Sequence, residues 1–416
     1  MRRMNVVTVT TVLAVVLGFA VSARAQAPGG GVTAFEGARI ITGNEAGPIE
    51  NGTLVIQGTR ILQVGKAAEV QVPAGATRVN AAGKTIMPTV VDTHTHLSTT
   101  RDALIKDLKR RAYYGVSAAL SMGTDGFGLL DMRQENIPGA ARYFSAGLGI
   151  TRFEPGPPKF QINSEAEGRK AVQENAAHRV NIIKIWVDDR DGKVDKVTPL
   201  QYAAVIDEAH NRGLRVTAHI FNMDDAKGLI RAGLDAYAHS VRDRDVDDET
   251  VALFRSHPNL TLNPNLPDRG VKVDNSWLKA SLSADEYANL EKNNTDRPRQ
   301  QEAYGIQARN LNRLSRAGVR IILGTDGNRP WSPHEEMADM VTAGMTPMQV
   351  IVAATSRAAE YLKLDKIGVL AAGKEADFLV LDGNPLDNIT NTQRISRIYI
   401  KGAEVDRAML RAGLRQ

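Results

Sequence analysis

Thr85-Ile86-Met87-Pro88-Thr89-Val90-Val91-Asp92-Thr93-His94-Thr95-His96-Leu97 is an apolar run that closes on two imidazoles one residue apart. In a strand, residues i and i+2 point the same way, so both rings can reach one metal ion. An isolated His-x-His pair is only a hypothesis. Its weight comes from what stands at the ends of the strands that follow.

Beyond this run the chain alternates apolar strands with helical patterns, the mark of a parallel sheet. Eight strand candidates can be placed, at 89–97, 116–123, 141–149, 180–188, 215–221, 236–241, 260–266 and 319–326. One intervening helix is well punctuated, starting at Thr198-Pro199 and stopping at Gly213. Eight strand–helix units predict a (β/α)8 TIM barrel, with an open doubly wound sheet as the alternative. In a barrel the chemistry gathers at the C-terminal strand ends. The polar residues stand there: His94 and His96 on the first strand, Lys184 in Asn181-Ile182-Ile183-Lys184-Ile185-Trp186, His219 in Val216-Thr217-Ala218-His219-Ile220, His239 in Ala236-Tyr237-Ala238-His239-Ser240, and Asp326 in Gly324-Thr325-Asp326-Gly327. Five strands each placing a polar group late in an apolar run is hard to explain by packing.

Four neutral imidazoles and a carboxylate suit Zn²⁺ or a similar divalent ion. Six candidate ligands exceed what one tetrahedral zinc needs, so two ions roughly 3.5–4 Å apart are the natural reading. Two close cations need a bridging anion. A buried lysine near cations can lose its proton, and the free amine of Lys184 can then take up CO₂ as a carbamate. A plain charge-pairing role for Lys184, with one metal, and a helix-capping role for Asp326 are the alternatives.

The two chain ends carry a different texture. Thr53–Gln57, Arg60–Val64 and Thr77–Asn80 read as short strands between glycine turns, and Asp377–Leu381 with Arg397–Val405 repeats the pattern near the C-terminus. Neither end is long enough to fold alone, so the two are expected to pair. The predicted domains are a signal peptide over 1–25, a β-sandwich built from 26–87 and 366–416, and the barrel over 88–365. The leader reading rests on Arg2 and Arg3, the apolar Val12–Val21 and an A-x-A cleavage site at Ala23-Arg24-Ala25. An uncleaved membrane anchor is the alternative. Export to a periplasm, or secretion, follows from cleavage, with no membrane association afterwards.

Of 52 basic residues, Arg2, Arg3 and Arg24 leave with the leader, so 49 face 47 acids and the net charge falls to +2. No basic stripe remains that would argue for nucleic acid. The absence of cysteine rules out disulfides, thiolate ligands and a cysteine nucleophile. A small-molecule substrate is expected, and a homo-oligomer is left open.

On these residues the chain resembles the metal-dependent amidohydrolase superfamily, within it the imidazolonepropionase-like and prolidase-like branch. The resemblance covers essentially the whole mature chain. It rests on the first-strand pair of histidines, Lys184, His219, His239, Gly324-Thr325-Asp326, and the closing Gly368–Asp387 stretch, GVLAAGKEADFLVLDGNPLD. It implies that His94, His96 and Asp326 bind one buried cation, that His219 and His239 bind the second, and that carbamylated Lys184 and a hydroxide bridge the two. It further implies that Asp326 takes a proton from that hydroxide as it attacks a carbonyl and delivers it to the departing amine. The second cation, held in part by His239, would polarise the carbonyl oxygen. The implied activity is cleavage of an amide-type C–N bond in a small molecule, dipeptides or N-acyl amino acids first. A lactone or phosphoester substrate, or a catalytically silent binding protein on the same fold, are the competing readings. A silent relative should lack one or more of the six ligands, and this chain lacks none.

The sequence departs from the pattern at Trp186-Val187-Asp188-Asp189-Arg190-Asp191-Gly192, where many relatives carry a small glycine-rich loop, and at Pro88-Thr89, where glycine often follows proline. Trp186 shares the face of Lys184 and Phe221 that of His219, so both are candidate pocket walls. Arg152, Arg242 and Arg244 follow the third and sixth strands, and Arg242 is taken as a substrate contact through a bidentate pair with a carboxylate. The remaining histidines are expected outside the site: His178 and His210 near helix ends, His257 in a loop before Pro258, and His334 on the surface or capping a helix.

Overall fold

The chain is described by a computed structural model over residues 31–152 and 156–414. The leader reading lies outside the described residues. The opening stretch divides at Thr89. Thr85–Pro88 pairs with Phe378–Leu381 antiparallel and with Arg39–Ile40 parallel, so both chain ends meet across it. Thr89 then donates its N–H to Asp377 O at 3.3 Å and its hydroxyl to Ser117 Oγ at 2.6 Å, before Val90–Thr95 enters a parallel sheet. Thr89 thus holds both units together.

The ends form one eight-stranded sheet in the order Ala403–Glu404, Ile395–Ile400, Phe378–Leu381, Thr85–Pro88, Val32–Ile40, Ile49–Gln57 and Arg60–Lys66, with Thr77–Asn80 also on Val32–Ile40. Its core is aromatic: Phe35 meets Phe378 edge-on at 5.1 Å between ring centres, and Phe378 stacks on Tyr399 at 4.6 Å. Asp377 secures it to the rest of the molecule through Arg142, at 2.6 Å.

The centre is TIM-barrel-like α/β, with two parallel sheets. Val90–Thr95, Val116–Ser121 and Arg142–Ser145 make the first. The second runs Phe160–Gln161, Ile150–Thr151, Ile183–Val187, Val216–Ile220, Ala236–Tyr237, Thr261–Leu262 and Arg320–Ile321. The sheets join on both sides. Asn181 N donates to Ser145 O at 2.9 Å, and on the other flank Thr93 N donates to Leu323 O at 3.1 Å. Helices follow most strands and start where the sequence supplies caps. Thr198 and Gln201 form a capping box ahead of Pro199–Asn211, and Gly213 turns the chain after it with φ +69°.

Four of the strand expectations need correction. The 141–149 candidate is a strand only over Arg142–Ser145, because Gly147 at φ +64° breaks the run, and Ile150–Thr151 just beyond it joins the other sheet. The regular ladder at 236–241, 260–266 and 319–326 is only two residues long in each case. Past it the backbone turns toward the centre, with Asn265 at φ +41° and Asp326 at φ +49°. Among the described residues no helix is long and apolar enough to cross a membrane.

Candidate metal centre

Four of the six expected ligands converge directly. His94 is fully buried at the end of Val90–Thr95, and its Nε2 lies 3.2 Å from Asp326 Oδ1. His96 Nε2 lies 3.0 Å from the same oxygen, and His239 Nε2 is 3.5 Å from Oδ2. Donor atoms of His94, His239 and Asp326 all fall within 4.8 Å of one another. The last strand is fixed against the first by the backbone, since Thr325 N and Asp326 N both donate to His94 O, at 2.9 and 2.8 Å.

The other two candidates flank this group. His219 stands beside His239, ring centres 4.5 Å apart. Lys184 is fully buried on the neighbouring strand, and its Nζ has no hydrogen-bond partner among the described residues. That ammonium lies 5.3 Å from the centre of the Trp186 ring.

The electrostatics favour electron-pair donors over charged imidazoles. Burial pushes His94 down to about 4 and His219 to about 3, and holds His239 well below its ordinary range. Burial also lowers Lys184 to about 7, against the pull of Asp326, so a sizeable fraction is free amine near neutrality. Burial works against ionisation of Asp326, but His94 and His239 outweigh it and hold the carboxyl far below the usual carboxylate range. His94 Nδ1 lies 3.3 Å from Ala238 O. A proton placed there donates to that carbonyl and leaves the Nε2 lone pair facing Asp326. Nε2 is itself buried with no well-directed hydrogen bond among the described residues. An orphaned ring nitrogen, neutral imidazoles and an anionic oxygen fit a divalent cation.

Three supporting groups escaped the sequence reading. Asp188 Oδ2 accepts from His219 Nε2 at 2.9 Å and from Arg190 Nη1 at 2.7 Å. It was legible by period two, following Lys184 and Trp186 on one strand face. The side-chain amide of Asn265 lies 2.5 Å from His94 Nδ1, and with the proton on that nitrogen it is the amide oxygen that faces the ring as acceptor. Behind the centre, buried Asp92 accepts from Arg111 Nη1 and Thr325 Oγ1, each at 3.0 Å. This ties the helix Arg101–Tyr113 to the first and last strands.

The expected substrate contacts sit as follows. Trp186 is buried at the rim of the centre. Its ring packs so closely on Gly149 that an added Cβ there would come within 2.0 Å of it. Phe221 is half-buried, and its carbonyl accepts the backbone N–H of Arg242 at 2.9 Å. The Arg242 guanidinium is turned inward, with Nε and Nη2 buried and lacking hydrogen-bond partners among the described residues. Arg152 pairs with Asp195 and exposed Arg244 with Asp224, each at 2.9 Å. A cavity of about 550 Å³ is bounded by Thr325, Arg269, Arg329, Glu335, Glu336 and Asp339, and none of the six candidate ligands lines it.

His178 and His210 lie at helix ends as expected, and His257, expected in a loop, caps the C-terminal end of Asp248–Ser256 just before Pro258. His334 corrects its expectation. It is buried rather than on the surface, with Nδ1 3.0 Å from Thr392 Oγ1 and Nε2 2.8 Å from Tyr114 O. Both ring nitrogens are used inside the protein, which packs the helix Ser332–Thr342 against the chain ends.

This arrangement has known counterparts. Residues 85–405 match the amidohydrolase family. An uncharacterized protein of Mycobacterium tuberculosis is 30% identical over 312 residues, 70% of this chain and 77% of that one. The imidazolonepropionase of Streptomyces griseus is 26% identical across 82% of this chain and 88% of its own. Among solved structures, a Bifidobacterium longum protein described as a candidate prolidase is 25% identical with a TM-score of 0.74, covering 93% of this chain and 99% of that one. The chain belongs to the amidohydrolase family, whose members generally depend on a divalent metal. Within it, this protein is of the imidazolonepropionase- and prolidase-like branch, an enzyme that hydrolyses carbon–nitrogen bonds.

Proposed function

We propose that this is an exported, divalent-metal-dependent hydrolase that cleaves an amide bond in a small molecule, a dipeptide or an N-acyl amino acid. The observation that carries the reading is the convergence of His94, His239 and Asp326 around an orphaned His94 nitrogen. His94, His96 and Asp326 would hold one cation, and His219, His239 and a carbamylated Lys184 would complete a second place, with Zn²⁺ suited to both. Bound there, such ions acidify water and polarise a carbonyl oxygen.

The chain's own residues supply the rest. Asp326 accepts the proton of the attacking water and passes it to the leaving nitrogen. His239, beside Asp326 and neutral, is poised as an electron-pair donor. Trp186 closes one wall against water. The fraction of Lys184 present as free amine is the form that reacts with CO₂.

The finer architecture belongs to the same proposal. The parallel strands over 88–365 would close as a (β/α)8 barrel. The single sheet built by both chain ends would fold over its aromatic core as a satellite sandwich, and 1–25 would direct export to the periplasm or medium. The substrate would be a small molecule, with neither nucleic acid nor membrane as partner.

The test is a panel of dipeptides, N-acyl amino acids, lactones and phosphoesters offered to the Zn²⁺-reconstituted protein, before and after chelation, with metal content measured in parallel. Amide cleavage that disappears on chelation and returns with metal is the expected result. Turnover confined to lactones or phosphoesters, or amide cleavage indifferent to chelation, would overturn the reading.

A further inference from the structure

Gly-Thr-Asp-Gly occurs twice in the chain, at 123–126 just past Val116–Ser121 and at 324–327 past the last strand. The later copy carries Asp326. The earlier copy also brings a carboxyl to a strand end, but the structure uses it differently. Asp125 is buried among four donors, none of them a cation. Ser121 Oγ at 2.7 Å and Thr124 N at 3.2 Å donate to one oxygen, and Tyr143 Oη at 2.9 Å and Ser145 Oγ at 2.5 Å to the other.

That knot holds the surroundings of His96. Val90–Thr95 ends one residue before His96, so no ladder fixes its ring, which is 27% exposed where that of His94 is fully buried. Two contacts from the neighbouring strand end replace the ladder. Ser121 Oγ, which donates to Asp125, accepts the N–H of Leu97 at 3.2 Å. Thr124, whose own N–H goes to Asp125, places Oγ1 3.1 Å from His96 Nδ1. The ring is thus held between Thr124 on Nδ1 and Asp326 Oδ1, 3.0 Å from Nε2.

The two partners are chemically unlike. An ionised carboxylate only accepts, so without a cation the proton of the neutral ring belongs on Nε2, facing Asp326, and Nδ1 must accept. With a cation on Nε2, the neutral ring carries its proton on Nδ1, which must donate. A hydroxyl serves both states, donating to the first and accepting from the second. A carboxylate in its place would only accept, and an ammonium only donate. We infer that Thr124 is a positioning residue for His96, a reversible proton partner that lets the ring exchange Asp326 for a divalent cation, and that Asp125 anchors it. This rests on the reading of His96 as a cation ligand and supplies the group behind it.

The experiment follows the histidine ring nitrogens by NMR in the full chain carrying isotope-labelled histidine, without and with Zn²⁺. His96 is assigned by the loss of its signals in His96→Gln. Cation affinity is measured against graded chelators in the wild type, Thr124→Val and Thr124→Ser. His96 should carry its proton on Nε2 without Zn²⁺ and on Nδ1 with it, a change that a merely structural role for Thr124 does not require. Thr124→Val keeps the shape but lacks the hydroxyl, so the first cation should bind about 10–100-fold more weakly, while Thr124→Ser should stay within about threefold of the wild type. Wild-type affinity in Thr124→Val, or a His96 proton that stays on one nitrogen in both states, would overturn the role of Thr124. The wild-type spectra need no variant, so they decide the matter even where Thr124→Val fails to fold. If Zn²⁺ leaves the His96 signals unmoved, the reading of His96 as a ligand falls together with this one. If Zn²⁺ moves them and the valine variant is indifferent, Thr124 alone is set aside.

Discussion

His219 and Asp188 face each other across adjacent parallel strands, ring Nε2 to carboxylate Oδ2 at 2.9 Å. His219, burial and Arg190 together set Asp188: burial opposes its ionisation, but the hydrogen bonds from His219 and Arg190 hold it well below the usual range. An ionised carboxylate only accepts, so this bond places the His219 proton on Nε2 and leaves Nδ1 as the one lone pair the ring has for a cation. With the proton on Nδ1 instead, Nε2 would accept from Arg190 Nη1, 3.0 Å away, and no lone pair would be left. Cation binding therefore selects the Asp188-bonded form.

Asp188→Ala should consequently weaken binding of a second divalent cation by about 10–100-fold while the first stays bound. Metal content measured against a graded series of competing chelators distinguishes the two. Two cations per chain with wild-type affinities in the variant would remove Asp188 from this role.

The parts of the centre that were legible in the sequence were those that regular strands display. His94, Lys184 and His219 sit inside ladders, where period two fixes which way a side chain points. His239 and Asp326 lie past the last ladder pair, on backbone that has already turned, and only their residue types in an apolar context marked them. Asp188 was visible by the same periodicity, yet it lies among Asp189, Arg190 and Asp191, and so read as a solvated loop. Asn265 and the Asp92–Arg111 pair were not legible. Each acts through a contact between separate segments, Arg111 and Asp92 being 19 positions apart and Asn265 and His94 171. The single sheet joining the chain ends was readable from its strands, but its hinge at Thr89 depends on Ser117 and Asp377, which no local pattern connects to it.

Asp326→Asn preserves the size of the side chain and one oxygen ligand but cannot carry a proton. Bound metal should persist, and turnover should fall by about 10²–10⁴-fold, the usual size of a general acid–base contribution. Elemental analysis beside single-substrate kinetics checks both halves. Turnover within a few fold of wild type would mean that the proton passes through another group.

Arg111 and Asp92 are both essentially out of solvent, and their 3.0 Å ion pair is reinforced by Thr325 and by the Gly327 carbonyl. Truncating one partner strands the other charge. Arg111→Met should therefore destabilise the protein by about 3–5 kcal/mol, whereas the double replacement Arg111→Met with Asp92→Leu should recover a large part of that loss. Denaturant midpoints of the metal-free proteins measure it. A single variant as stable as wild type would show that Asp92 finds another partner.

Asp339 supplies a pH dependence remote from the metal ligands. Burial, with Glu335 and Asp268 nearby, raises its carboxyl to about 7 even though Arg269 Nε lies 2.7 Å from it. An acid whose pKa rises on folding keeps its proton longer in the native chain. Between its ordinary value of 3.8 and about 7, the folded protein binds more protons than the unfolded one, so stability falls as pH rises through that window. Asp339→Asn removes the titration but keeps the shape. The variant should gain on the wild type between pH 5 and pH 8 by about 2 kcal/mol, from the 1.36 kcal/mol that each pKa unit represents. Comparing the two proteins cancels the groups that do not feel Asp339 and leaves its titration together with the response of Glu335 and Glu336, to which it is coupled. Urea unfolding of the metal-free pair at the two pH values measures the difference, and parallel stability curves would show that Asp339 stays ionised in the folded chain because its pairing with Arg269 outweighs burial.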